Sequence, residues 1–270
     1  MSDRYTVFGN PIEHSKSPMI HRHFAAQTNQ ALVYDKTLTP VDGFSQALAE
    51  FFNQGGRGCN ITVPFKEQAW QLADQLSDAA RKAGAVNTLT RLENGQLQGD
   101  NTDGVGLVQD LIANLRLNLA GKKILLLGAG GAVRGVIGPI LAQSPASLLV
   151  ANRTVEKANQ LAKIFAEDGN ITACGYPQLA GQQFDLVING TAASLQGELP
   201  PLPDDLLANG AACYDMMYST SDTAFQIWAK SHGAVIAADG LGMLIEQAAQ
   251  AFYIWRNCRP VTGKLFLEMR

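Results

Sequence analysis

Two stretches of this chain combine residue type and spacing in a way that could bind a dinucleotide. Gly128-Ala129-Gly130-Gly131 directly follows the run KKILLL, residues 122–127. Glycines between a strand and a helix let backbone N–H groups and the helix N-terminus approach a pyrophosphate. The strict glycine pattern wants a small residue at position 133, where Val133 stands. The next β-rich run ends Asn152-Arg153-Thr154, at the place where an NAD site carries an acidic residue to accept bonds from the ribose hydroxyls. A guanidinium cannot accept those bonds but forks onto a 2′-phosphate, and Lys157 adds a second cation. One such charged hydrogen bond, about 1.5–3 kcal/mol, favours NADP by about one to two powers of ten.

Hydride transfer to a carbonyl also needs a group that gives or takes the alcohol proton. No tyrosine is followed four residues later by lysine, so the tyrosine-lysine pair of another reductase class is missing. His14, His21, His23 and His232 lack metal-ligand spacing, so no metal is expected. In Asn60-Ile61-Thr62-Val63-Pro64-Phe65-Lys66, polar residues alternate out of a strand and Pro64 stops it just before a lysine. Asn101-Thr102-Asp103-Gly104 stands in the same way before a helical pattern. Asp103 also reads as a helix cap, and Ser17-Pro18 as a helix start with Ser as cap.

The elements that must hold these groups follow α/β order. Short β-rich runs at Thr6 to Gly9, Leu32 to Thr37 and Cys59 to Val63 alternate with helical patterns near Pro18 to Thr28 and Gly43 to Asn53. Asn87 to Leu92 and Gln96 to Gly99 flank Asn94-Gly95, a pair that accepts the positive φ of a tight hairpin turn. A helix is predicted over Asp103 to Leu115. From Lys122 the apolar strand, Gly turn and helix open a doubly wound region, with strands at Ala146 to Ala151, Phe184 to Asn189, Ala211 to Met216 and Ala234 to Ala237. Gly242 to Arg256 reads as a long helix, and its apolar faces need a surface to cover. The pattern predicts an N-terminal α/β substrate domain, residues 1–103 with 241–270, and a Rossmann-like dinucleotide-binding domain, residues 104–240.

Composition narrows the partners. The 21 basic and 24 acidic residues give a net charge of -3, which leaves no electrostatic footprint for nucleic acid. No apolar run is long enough to span a membrane, so a cytoplasmic protein is expected. Cys59, Cys174, Cys213 and Cys258 form no CxxC pair and read as reduced thiols.

The chain resembles the shikimate dehydrogenase family through SKSP at Ser15 to Pro18, NITVPFK at Asn60 to Lys66, GAVNT at Gly84 to Thr88 and GDNTDG at Gly99 to Gly104. The likeness continues through GAGGA at Gly128 to Ala132, NRT at Asn152 to Thr154, YDMMY at Tyr214 to Tyr218 and DGLGML at Asp239 to Leu244. It covers nearly the whole chain, with the motifs in the family's order. The resemblance implies that Lys66 is the acid-base residue and Asp103 its partner at the substrate hydroxyls, with the nicotinamide delivered from the second domain. A lysine with a free pKa of about 10.4 needs desolvation or a charged neighbour to work near neutrality.

By the same resemblance Ser15 and Ser17 hold the substrate carboxylate, and Asn60, Thr62, Asn87, Tyr218 and Gln247 make the remaining substrate contacts. Thr191, Met216 and Gly240 match positions on the nicotinamide side, while Asp78 aligns with a cofactor-facing position that is more often Glu. The cofactor set is thus Asp78, Gly128, Ala129, Gly130, Gly131, Ala132, Asn152, Arg153, Thr154, Lys157, Thr191, Met216 and Gly240. The chain departs from the family's pattern at Asn189-Gly190-Thr191-Ala192-Ala193-Ser194, where Asn-Ala-Thr-Ser-Ser-Gly is usual, which removes two hydroxyls near the cofactor. Lys157 stands where arginine is common, giving a point charge in place of a fork.

The expected reaction is reversible NADPH-dependent reduction of 3-dehydroshikimate to shikimate, on the route to aromatic amino acids, by a monomer or homodimer. Two alternatives compete with it. One is a dual-cofactor quinate/shikimate dehydrogenase, for which an acidic residue in place of Arg153 would argue. The other is an NADP-binding sensor, which would tend to lack Lys66 or Asp103.

Overall fold

A computed structural model describes residues 2–191, 193 and 197–269. Ala192 and Ser194, two of the residues at which the chain departs from the family's pattern, lie outside the described residues. The chain folds as two compact units, one running to Gly106 and resuming at Leu244, the other spanning Leu107–Met243.

In the first unit the strands are β1 (Asp3–Gly9), β2 (Leu32–Leu38), β3 (Gly56–Ile61), β4 (Gln75–Leu76), β5 (Thr88–Arg91) and β6 (Leu97–Asp100). They form one sheet in the order β2-β1-β3-β5-β6-β4. β2, β1 and β3 run parallel, while β3, β5 and β6 are antiparallel neighbours. The helices are α1 (Ser17–Gln27), α2 (Phe44–Asn53), α3 (Lys66–Leu72) and α4 (Asp78–Ala83). Side chains alternate across the pleat, so the sheet has two different faces. Phe8, Cys59, Ile61 and Leu89 pack with Phe44, Leu48 and Phe65. Tyr5, Val7 and Tyr34 pack together on the other side with Trp255 against them.

Two element ends differ from expectation here, and the expected β5–β6 hairpin is present. β3 ends at Ile61, two residues short of the expected Val63, although Thr62 N still donates to Phe8 O and Val63 O accepts from Asn10 N just ahead of Pro64. In the β5–β6 hairpin only Gly95 has positive φ, +85°, while Leu92 and Gln96 still share a backbone hydrogen bond. A primed two-residue turn would need both Asn94 and Gly95 there. Finally α5 (Asp103–Gln109) does not continue regularly to Leu115 but passes into a π turn over Asp110–Asn114.

The second unit adds β7 (Lys123–Leu127), α6 (Gly131–Leu141), β8 (Ser147–Ala151), α7 (Val155–Ile164), β9 (Ile171–Cys174), β10 (Phe184–Asn189), β11 (Leu207–Asp215), α8 (Ala224–Ser231) and β12 (Ile236–Ala238). The final helices of the chain are α9 (Leu241–Arg256) and α10 (Gly263–Glu268). The second sheet runs β12-β11-β10-β7-β8-β9, with every pairing parallel. Taken in chain order that is 3-2-1-4-5-6 from one edge, the doubly wound arrangement with its switch point between β7 and β10. Ile124 to Leu127 are fully buried because both faces are covered. Val133, Val136, Ile137 and Ile140 of α6 pack on one face, and Phe225, Trp228 and Ala229 of α8 on the other.

The π turn encloses a buried carboxylate. Asp110 accepts the Tyr214 hydroxyl at 2.7 Å and the Asn114 amide at 2.8 Å, and Tyr214 in turn accepts from Met243 N at 3.2 Å. A β-carbon at Gly242 would fall 2.0 Å from Asp110 Oδ1. That glycine is what admits the carboxylate to the start of α9.

Candidate active site

In the first unit, Lys66 and Asp103 meet. Pro64 interrupts the chain after β3, and α3 begins at Lys66, whose Nζ donates to Asp103 Oδ2 at 2.6 Å. Asp103 opens α5, but it is Asn101 Oδ1 that accepts the Asp103 N–H, at 3.1 Å. The Asp103 carboxylate is therefore not spent on capping its helix. Its other oxygen, Oδ1, accepts from Asn87 Nδ2 at 2.8 Å. A lysine fixed on a carboxylate, itself fixed by an amide, has little rotational freedom, an arrangement suited to proton transfer.

Asn87 is the hub. Its Oδ1 accepts the Thr102 N–H at 2.9 Å and the Thr88 hydroxyl at 2.9 Å, which fixes the amide with its Nδ2 towards Asp103. Gln247 of α9 comes close enough for its Oε1 to lie 3.4 Å from both Asn87 Nδ2 and Thr102 Oγ1. Gly106 permits that approach, since a β-carbon there would sit 2.6 Å from Gln247 N. Asn60 lies behind Asn87. Its Nδ2 donates to Asn87 O and Thr88 Oγ1, both at 3.1 Å, and its Oδ1 accepts the Tyr34 hydroxyl at 2.7 Å. With both amide hydrogens engaged, Asn60 has only an oxygen lone pair left to offer a ligand.

Ser15 and Ser17 flank the start of α1. Ser17 is the first helical residue and Lys16 holds the cap position, with no side-chain capping bond, so the expectation that Ser17 caps the helix is corrected. Its hydroxyl instead interacts with the Tyr34 phenol. Burial pushes that phenol well above the usual tyrosine range, which keeps it a hydrogen-bond donor. Tyr34 stacks on the buried His21 ring at 4.2 Å. Thr62 donates its N–H to Phe8 O at 2.9 Å just past the end of β3.

The second unit carries the groups suited to a dinucleotide. Gly128 has φ +104°, which a side chain rarely adopts, and the N-cap of α6 is Gly130 with no side-chain capping bond. Nothing lies within 4 Å of a β-carbon at Gly130 or Gly131. Uncapped N–H groups at an open, glycine-lined helix start suit a pyrophosphate, so the residues fit a dinucleotide cofactor. Ala129 and Ala132 complete that turn. Val133 is buried in the core.

Past β8, Asn152 Nδ2 donates to Thr154 O at 2.8 Å, closing a turn from which Arg153 and Lys157 stand exposed. Thr154 occupies the cap position of α7 without a side-chain capping bond. At the end of β10, Asn189 Oδ1 accepts the Thr191 N–H at 3.1 Å and its hydroxyl at 2.8 Å. Met216 N donates to Asn189 O at 2.8 Å. Gly240 packs against that segment, since a β-carbon there would meet Met216 O at 2.2 Å.

Lys66, Asp103, Asn87 and Gln247 form one network, with Asn60 joined to it through Asn87. Tyr218 and Asp78 each belong to the other unit from the rest of their groups. Tyr218 belongs to the second unit, lining a cavity of about 430 Å³ with Met217, Thr223 and Ile227; burial raises its phenol. Asp78 belongs to the first unit, exposed at the start of α4 and 3.9 Å from Arg81. Sequence reasoning did not single out Tyr34, and it placed Thr102 and Asn189 only within longer stretches, with no role of their own. Asp215, a charged residue at the end of an apolar strand, offered a signal inside the YDMMY motif.

Three family profiles match the chain: the shikimate dehydrogenase substrate binding domain over residues 7–89, shikimate / quinate 5-dehydrogenase over 110–196 and the shikimate 5′-dehydrogenase C-terminal domain over 240–261. A shikimate dehydrogenase (NADP(+)) of Cellvibrio japonicus is 60% identical over 100% of this chain and 98% of its own. Among solved structures, an Ael1 enzyme from Pseudomonas putida aligns with TM-score 0.93 and 43% identity, covering 99% of this chain and 98% of that one. Shikimate 5-dehydrogenase from Thermus thermophilus, in complex with NADP(H) and shikimate, aligns with TM-score 0.87 and 32% identity over 98% and 97% of the two chains.

Proposed function

The chain belongs to the shikimate dehydrogenase family, and on that premise we propose that it catalyses the reversible reduction of 3-dehydroshikimate to shikimate with NADPH. The observation that carries this reading is the Lys66 to Asp103 bond of 2.6 Å, held from behind by Asn87. Bound NADPH supplies the hydride. Lys66 Nζ gives its proton to the carbonyl oxygen as the alcohol forms and takes it back in the reverse direction. Asp103 orients the ammonium and accepts from a substrate hydroxyl. Ser15 and Ser17 hold the carboxylate, and Thr62, Asn87, Gln247 and Tyr218 bond the ring hydroxyls, with Asn60 supporting Asn87.

Gly128 to Ala132 receive the pyrophosphate, while Asn152, Arg153, Thr154 and Lys157 take the 2′-phosphate end. Thr191, Met216 and Gly240 receive the nicotinamide, and Asp78 is assigned to the cofactor contacts by its match to the family's position. Residues 1–103 with 241–270 act as the substrate domain and 104–240 as the NADP domain. We place the enzyme in the cytoplasm, as a monomer or homodimer with no nucleic-acid partner. The net charge of -3, and the lack among the described residues of a helix long and apolar enough to cross a membrane, support that placement.

The test is loss of NADPH absorbance on mixing with 3-dehydroshikimate, followed by turnover of shikimate and quinate with NADP and NAD. The proposed reading requires shikimate with NADP to lead all four combinations. Binding of NADPH without turnover would identify a sensor instead.

A further inference from the structure

Asp215 ends β11 with no solvent exposure, and nothing in the proposed reaction uses it. Donors from Asn189, Met217 and Thr223 converge on its carboxylate. Asn189 Nδ2 and Met217 N reach Oδ1 at 3.2 and 3.1 Å, and the Thr223 hydroxyl reaches Oδ2 at 2.7 Å. Asn189 and Asp215 are register partners on adjacent parallel strands. The contact therefore joins the C-terminal ends of β10 and β11, the side of a doubly wound sheet on which ligands bind.

The directions of these bonds are forced. A carboxylate accepts only, so the Asn189 amide must turn its nitrogen towards Asp215. Its oxygen then faces the other way, where it takes both the N–H and the hydroxyl of Thr191. With its hydrogen committed to Asn189, the Thr191 hydroxyl presents lone pairs alone to a ligand. The same carboxylate holds Met217 N, next to Met216, on whose carbonyl Gly240 packs. Thr223 extends the network to α8, accepting from Gln226 N at 3.2 Å as that helix's cap.

We infer that Asp215 is a positioning residue which, through Asn189, sets the loops bearing Thr191 and Met216 and so the seat of the nicotinamide half of the cofactor. The inference rests on the cofactor reading proposed above. It separates the two halves of the cofactor site, because these bonds tie together the ends of β10 and β11, whereas the Gly128 turn follows β7 and Arg153 follows β8.

Fluorescence titration of the full chain with NADPH and with 2′,5′-ADP tests it. Asn189→Ala and Asp215→Ala are expected to raise the Kd of NADPH roughly tenfold while leaving that of 2′,5′-ADP within about twofold, the size of a lost charge-assisted bond. Asp215→Asn keeps one acceptor oxygen for Asn189 and recovers most of the NADPH affinity. If Asp215→Ala does not fold, Asn189→Ala carries the test, since it leaves Asp215 bonded to Thr223 and Met217. Equal weakening of both ligands, or no change in either, overturns the inference. Failure of the unaltered chain to bind NADPH overturns the cofactor reading instead.

Discussion

Val133 and Gly190 are complementary: a β-carbon built on Gly190 would lie 2.4 Å from Val133 Cγ2 and 3.0 Å from Met216 Sδ. Val133 departs from the strict glycine pattern, which wants a small residue there, and Gly190 departs from the family's pattern, in which alanine is usual. One departure makes room for the other. The extra volume at the start of α6 occupies space released at the end of β10, across the switch point of the sheet.

Gly190→Ala is therefore expected to destabilise the protein by about 1–3 kcal/mol, the range for overpacking a filled site. Val133→Ala in the same chain should restore most of the loss. Thermal melts of the two single variants and the double variant check this. Additive losses would sink the coupling.

Lys66→Ala is expected to lower kcat by about 10²–10⁴ with a modest change in KM, since the lost contact acts mainly in the transition state. Steady-state kinetics in both directions measure it. An unchanged kcat would remove Lys66 from the mechanism.

Arg153→Ala is expected to raise KM for NADPH by about one to two powers of ten while leaving KM for NADH nearly unchanged, because only the 2′-phosphate needs the guanidinium. Equal effects on the two cofactors would refute the phosphate clamp.

His21 gives a pH dependence of stability. Burial lowers its pKa to about 3, outweighing the Asn60 side chain, which pulls the other way. The unfolded chain binds a proton there near pH 6.5. As pH falls through 6.5 the unfolded state therefore gains protons that the native state does not, and stability drops by up to about 1.4 kcal/mol per pH unit until pH 3. Above pH 6.5 this residue contributes no slope. His21→Phe should flatten the fall in Tm between pH 6.5 and 4, and parallel curves for the two proteins would contradict the assignment.

Much of this was legible in the residues themselves. The apolar run into Gly128 announced a buried parallel strand and its turn, and Arg153 at the end of the next strand gave the cofactor end a charge. What escaped were contacts between residues far apart in sequence. Tyr34 lies in an ordinary alternating strand, and only the fold brings its hydroxyl to Asn60. Asn60 reads as a substrate contact through the family resemblance, and no local pattern announces that both hydrogens of its amide are bonded inside the protein. The space at Gly190 is likewise invisible until β10 lies beside β7. Local pattern reports the elements and some of their chemistry; it does not report which partner fills a buried amide.

The first unit is assembled from the two ends of the chain, and this bears on its biosynthesis. Trp255, which rests on Tyr5 and donates to Leu89 O, and Arg256, which pairs with Asp3, both lie on α9. A ribosome delivers them only after every residue of the second unit. The first unit's sheet thus waits for α9, with α1 already on the face that bears Tyr34, while the later-made unit already holds all of its own strands. Vectorial synthesis reverses the order suggested by numbering: the unit begun first is the one completed last.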